Sequence, residues 1–78
     1  MAIENRYDVI TRINEHYGKM SKGQKAISAF IYDHYDQAVF MTAARLGETV
    51  GVSESTVVRY AMFIGYNGYP EFQRDLED

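Results

Sequence analysis

Apolar residues recur three and four positions apart from one end of this chain to the other, and no stretch alternates apolar with polar. That spacing fits the 3.6-residue turn of a helix and not the two-residue repeat of a strand, so the chain is expected to be all-α. Ile3, Tyr7, Ile10, Ile13 and Tyr17 mark a first helix over about residues 3–17, which Gly18 should end in a left-handed C-cap. Ser21 with Gln24 has the form of a capping box, and Ala26, Ile27, Phe30 and Ile31 then carry a second helix to about Tyr35. Asp36 to Met41 reads as a connector holding at most one helical turn. Thr42 is a good N-cap for a third helix bearing Ala43, Leu46 and Val50, stopped by Gly51. Ser53 caps a fourth helix, Glu54 to Ile64, which Gly65 closes. Gly68 with Pro70 opens a fifth through Leu76. Connections of two to six residues suit one five-helix bundle over residues 1–78.

Composition narrows what such a bundle can do. A chain of 78 residues has room for one core. With no Cys there is no disulfide, no thiolate zinc site and no thiol nucleophile, and two His make a His-only metal site a poor prospect. Asp33-His34-Tyr35-Asp36 gathers two carboxylates and an imidazole, but no third ligand or pocket accompanies them. Neither a metal, a cofactor nor an enzymatic activity is expected. Apolar runs such as Ala38-Val39-Phe40-Met41 are far too short to span a membrane, and the N-terminus is too polar for a signal peptide, so a cytoplasmic location is expected. Tyr7, Tyr17, Tyr60 and Tyr69 fall on apolar stripes and read as core rather than as platforms for stacked bases.

The formal net charge is −3, which on its face disfavours a polyanionic partner. Residues 1–39 nevertheless hold five Lys/Arg against five Asp/Glu, and residues 40–66 hold two of each. The excess acid lies in residues 67–78, where Arg74 faces Glu71, Asp75, Glu77 and Asp78. An acidic end can lie away from a ligand surface, so net charge does not decide the matter.

The most informative stretch runs from Thr42 to Tyr60: a short helix, a turn opening on Gly51, and a second helix. These are the parts of a helix-turn-helix with its core at about residues 42–65. Gly51 permits the sharp left-handed bend, and Leu46, Val50, Val52 and Val57 wedge the two helices. Gly47 costs roughly 1 kcal/mol relative to Ala inside a helix, so it is expected to mark a close approach where a side chain would clash. On the fourth helix Val57, Tyr60, Ala61 and Ile64 share one side, and Ser55, Val58, Arg59 and Met62 the other, with Glu54 beside them. Short side chains near the N-terminus of that second stripe, followed by a long donor, suit entry into a major groove.

At these residues the sequence resembles the N-terminal domain of the RpiR family of bacterial transcriptional regulators. The resemblance covers about residues 20–76. It is carried by Met20-Ser21, by Val39-Phe40-Met41-Thr42, by Gly51-Val52-Ser53-Glu54-Ser55-Thr56-Val57-Val58-Arg59-Tyr60, by Ile64-Gly65-Tyr66-Asn67-Gly68-Tyr69 and by Glu71-Phe72. Gly47 stands where members of that family usually carry Ala, and Ala61-Met62-Phe63 replaces a usually more basic stretch. The resemblance implies a homeodomain-like helix-turn-helix that binds double-stranded DNA, in a regulator of sugar or amino-sugar phosphate metabolism that forms a homodimer or larger oligomer. It also implies a C-terminal sugar-isomerase-like domain, absent from this chain, that senses a phosphosugar.

Ser55, Arg59 and Glu54 are accordingly the candidates for base contact. Ser53, Thr56 and Thr42, as helix caps, and Lys22 and Lys25, at the start of helix two beside Lys19, are the candidates for phosphate contact. The alternative is a helical protein–protein interaction module without DNA binding, which the net charge and the apolar Val58/Met62 positions would favour. The stripe of helix one is either a dimer surface or packs on helix two.

Overall fold

Residues 2–77 are described by the computed structural model, with side chains from residue 9 onward. Six α-helices follow one another: α1 (Ala2–His16), α2 (Lys22–Asp33), α3 (Tyr35–Ala38), α4 (Ala43–Val50), α5 (Glu54–Phe63) and α6 (Tyr69–Glu77). The sixth helix is the single turn α3 inside the expected connector. No strand occurs among the described residues.

Helix boundaries follow local hydrogen bonds. Ser21 Oγ accepts from the Gln24 N–H at 3.2 Å while Gln24 Oε1 accepts from the Ser21 N–H at 2.8 Å, completing the capping box. Thr42 Oγ1 accepts from the Arg45 N–H and Ser53 Oγ from the Thr56 N–H, each at 3.1 Å, which starts α4 and α5. At the other end of α5, Gly65 takes φ +107°. The Gly65 and Tyr66 N–H groups then bond the Met62 and Ala61 carbonyls at 3.0 Å, the paired pattern that ends a helix on a left-handed glycine. Gly18 departs from expectation. It does not adopt positive φ, and α1 runs instead into a 3₁₀ turn over Tyr17–Lys19 whose last carbonyl-to-amide bond joins Met20 to Tyr17.

The core is built from Val9 and Ile13 of α1, Ile27 and Ile31 of α2, Leu46 of α4, Val57, Tyr60 and Ile64 around α5, and Phe72 and Leu76 of α6. Ala26 of the expected α2 stripe is exposed, and its place inside is taken by Ser28. The Ser28 hydroxyl meets the Tyr60 hydroxyl at 2.8 Å and the Gln24 carbonyl at 3.1 Å, so this polar group enters the core satisfied. Tyr17, expected inside, is 41% exposed, whereas Tyr60, Tyr66 and Tyr69 are buried. The Ile3 and Tyr7 side chains lie outside the described residues. Of the described part of the expected α1 stripe, Ile13 is buried, Ile10 half-buried and Tyr17 exposed, while Val9, outside that stripe, is buried. Helix α1 lies chiefly along α6 and is joined to α2 by the Tyr32–Asn14 hydrogen bond.

Burial pushes the Tyr69 hydroxyl up to about 12 and raises Tyr60 further in the same direction. In the unfolded chain both ionise near pH 10, so above that pH the unfolded state has shed protons that the folded state keeps. Their contribution to stability is therefore constant below pH 10 and falls as pH rises through the window from 10 to 12, by up to about 1.4 kcal/mol per pH unit for the buried Tyr60 hydroxyl and by less for that of Tyr69, which is only part-buried. Base titration followed by circular dichroism should show helicity and the last tyrosinate absorbance changing together. Ionisation of all tyrosines with helicity intact would contradict this assignment.

Candidate nucleic-acid interface

The α4–α5 pair is joined by a turn of three residues, Gly51 to Ser53. Gly51 takes φ +96°, a backbone conformation that a side chain disfavours, and its N–H and that of Val52 both bond the Gly47 carbonyl, at 2.7 and 2.8 Å. Gly47 is buried beneath this turn. A Cβ there would lie 2.7 Å from the Val52 carbonyl oxygen and 3.2 Å from the Ser53 carbonyl, so the close approach expected of Gly47 is made by the backbone leading into α5. The turn is thus rigid on both sides, and the orientation of α5 is set by it.

The two stripes of α5 separate cleanly. Val57, Tyr60, Ala61 and Ile64 are at most 1% exposed, while Glu54, Ser55, Arg59 and Met62 face outward, with Met62 54% exposed. Val58 sits half-buried between the stripes. Glu54, Ser55, Val58 and Arg59 together line an open depression of about 360 Å³ on the outer surface of α5. Among the described residues neither a hydrogen bond nor an ion pair engages Arg59, and Glu54 in particular does not hold it. The outward stripe is free to meet a ligand.

At the N-terminus of α5 the Ser53 and Thr56 hydroxyls lie 2.9 Å apart, and Ser53 Oγ also accepts the Thr56 N–H. With one hydroxyl donating to the other, one hydrogen of the pair remains to be donated outward, beside the unpaired N–H groups of the first turn. The start of α2 abuts the same place. A methyl group at Gly23 would lie 3.3 Å from Val52 Cγ1 and 3.9 Å from Thr56 Cγ2, so the first turn of α2 packs against the start of α5, and Lys22, the residue before Gly23, is exposed. Lys25 is exposed as well, but its Nζ sits 5.2 Å from the centre of the Tyr17 ring, a cation–π contact. Thr42 is not gathered with this group. It caps the far end of α4, about 12 Å along the helix from the turn.

Several positioning residues escape a reading of the sequence because their partners are remote in the chain. Arg12 Nη1 donates to the Gly65 carbonyl at 3.0 Å and its guanidinium covers the Tyr66 ring at 4.4 Å, while His16 packs edge-on against Phe63 at 5.4 Å. Helix α1 therefore holds the C-terminal end of α5. From α6, Tyr69 donates to the Met41 carbonyl at 2.6 Å, and Gln73 Nε2 to the Val39 and Met41 carbonyls at 3.1 and 2.8 Å. Those bonds fix the segment that delivers Thr42 to the start of α4. Only an amide or hydroxyl among the apolar positions of α6 hinted at them.

Away from this face, Ile10, Tyr32, Phe40 and Leu76 line a depression of about 700 Å³ rimmed by Asp33, Asp36 and Glu77. Lys22 and Asp33 stand at opposite ends of α2, about 16 Å apart along its axis, so basic and acidic surfaces are separated along one helix. Among the described residues no three His, Cys, Asp or Glu side chains are grouped to hold a metal ion, and His34 instead lies against Phe30 at 5.0 Å.

A model of the helix-turn-helix domain of the rpiR family matches residues 7–78, the whole of this constellation included. The chain belongs to that family. Among similar proteins, the uncharacterised HTH-type transcriptional regulator YfhH of Escherichia coli K12 is 28% identical over 69 residues, 88% of this chain and 24% of the relative. GlvR of Bacillus subtilis, an HTH-type transcriptional regulator, is 31% identical over 61 residues, 78% of this chain and 24% of its own length. HexR of Pseudomonas aeruginosa, likewise an HTH-type transcriptional regulator, is 28% identical over 69 residues, again 88% and 24%. This rpiR-family domain thus spans about a quarter of the length of these relatives. No solved structure matches it. None of its described helices is long and apolar enough to cross a membrane.

Proposed function

We propose that this rpiR-family domain is the sequence-specific DNA-binding part of a cytoplasmic transcriptional regulator, with α5 entering the major groove and no catalytic role. The observation that carries the reading is the outward stripe of α5, where Ser55 and an unengaged Arg59 stand on a helix whose inner stripe is locked in the core behind a rigid turn. Arg59 is suited to the acceptor pair of guanine, Ser55 to a base edge at close approach, and Glu54 to the amino group of cytosine. Ser53 and Thr56, whose hydroxyls lie 2.9 Å apart at the α5 N-terminus, would hold a phosphate there with Lys22 from the adjoining start of α2, and Lys25 and Thr42 would contact the backbone further along. A two-fold homodimer would set two copies of α5 about one duplex turn apart. The kinship with HTH-type transcriptional regulators supports the regulatory role. Sugar or amino-sugar phosphate metabolism as the regulated process, and a phosphosugar as the effector of a separate domain, complete the proposal.

Salt titration of binding to duplex DNA tests it. Each phosphate neutralised adds about −0.9 to the slope of log K against log salt, so Lys22→Ala should make the slope shallower by about 0.9 per protomer. Absence of any binding to duplex at low salt would refute the DNA-binding reading and favour a protein-binding module.

A further inference from the structure

The depression on the outer surface of α5 has a feature that the polar contacts leave unused. Its floor is Val58, an aliphatic side chain half-buried between the stripes, and around it stand a carboxylate (Glu54), a hydroxyl (Ser55) and a guanidinium (Arg59). Ser55 and Arg59 lie three residues before and one residue after Val58 and line the same depression, so a base edge seated in it stands beside the valine methyl groups. Among the four bases only thymine carries an apolar group on its major-groove edge, the methyl at C5. A polar base edge over Val58 would lose water without gaining a partner.

We propose that Val58 is a specificity-determining residue that selects thymine by contact with its 5-methyl group. The inference rests on the reading that α5 enters the major groove, and it adds a base identity that neither Arg59 nor Ser55 supplies. The ligand group is the C5-methyl of a pyrimidine, which thymine and 5-methylcytosine share, so the two sources need separate arms in the test.

The experiment uses the whole chain and a duplex selected from a random pool. Each thymine in the selected site is replaced singly by deoxyuridine, which removes the methyl group and preserves all hydrogen-bonding groups. One thymine per half-site should lose about fourfold in affinity, the worth of one buried methyl group. In Val58→Ala that loss should shrink to less than about twofold at the same position, while other positions behave as in the parent. Because the readout is a ratio of two duplexes within one protein, any loss of stability in Val58→Ala cancels. Val58→Ser, which has no methyl group and carries a polar hydroxyl, gives a second variant in which the ratio should also fall. Cytosine and 5-methylcytosine at that position form the other arm. Methylation should raise affinity, though not to the level of thymine, because the cytosine amino group replaces the thymine O4 acceptor. A site with no deoxyuridine-sensitive thymine, or a Val58→Ala chain that keeps the parental ratio, would overturn the assignment to Val58 and leave DNA binding intact. Failure to retain any duplex from the pool at low salt would instead overturn the underlying reading together with it.

Discussion

Phe72→Ala is expected to destabilise the domain by about 3–5 kcal/mol, the usual cost of removing a buried phenyl ring. Phe72 is fully buried. Its ring meets Tyr60 of α5 at 6.0 Å, Tyr66 of the intervening loop at 5.6 Å and Tyr69 of α6 at 5.5 Å, with interplanar angles of 87°, 70° and 52°. The two edge-to-face pairs, with Tyr60 and Tyr66, add to the transfer free energy of the ring itself. The cavity left by alanine is walled by three rigid aromatic side chains from two helices and a loop, which leaves little scope for collapse. A chain of this length has a total stability of about 4–12 kcal/mol, so the loss removes a large share of it. Thermal melting should show the midpoint falling by about 15 °C or more. Phe72→Leu, which retains most of the volume, should fall by far less. If Phe72→Ala melted within a few degrees of the parent, the aromatic cluster would not be the joint between α5 and α6.

Arg59→Ala is the second, and its effect is on ligand binding rather than on folding. The side chain is exposed and has no partner among the described residues, so its loss should leave the melting midpoint nearly unchanged. A bidentate arginine–guanine contact is worth about 1–3 kcal/mol of discrimination. Affinity for a selected site should therefore fall by about 5- to 150-fold, and the preference for one base at one position should relax. Competition between the selected duplex and duplexes altered at single positions measures this directly. A variant weakened equally against all sequences would place Arg59 on a phosphate, with base choice left to Ser55, Glu54 and Val58.

Those two residues also mark how far a sequence can be read. Arg59 was legible because its surroundings are local. The helix caps at Ser21, Thr42 and Ser53, the stops at Gly51 and Gly65, and the split of α5 into an inner and an outer stripe all depend on residues within one or two turns of each other. Hydrogen bonds spanning three to five residues and a 100° advance per residue are properties of the chain itself. The same logic misplaced Gly18, where the chain turns through 3₁₀ geometry without left-handed backbone, and it misplaced Tyr17, which extends a periodic pattern beyond the point where a neighbour covers it.

By itself, then, the sequence determined an all-α chain, the positions of the caps and glycine stops that frame the tight turn, and the outward placement of Ser55 and Arg59. The tertiary structure decided that α1 lies along α6 and clasps the end of α5 through Arg12 and His16. It also decided that Ser28 and Tyr60 share a buried hydrogen bond and that Tyr69 and Gln73 of α6 fasten the carbonyls of Val39 and Met41. Those partners stand 28 to 53 residues apart. No local periodicity encodes them, because which apolar face meets which is settled only when all the faces compete for burial in one core.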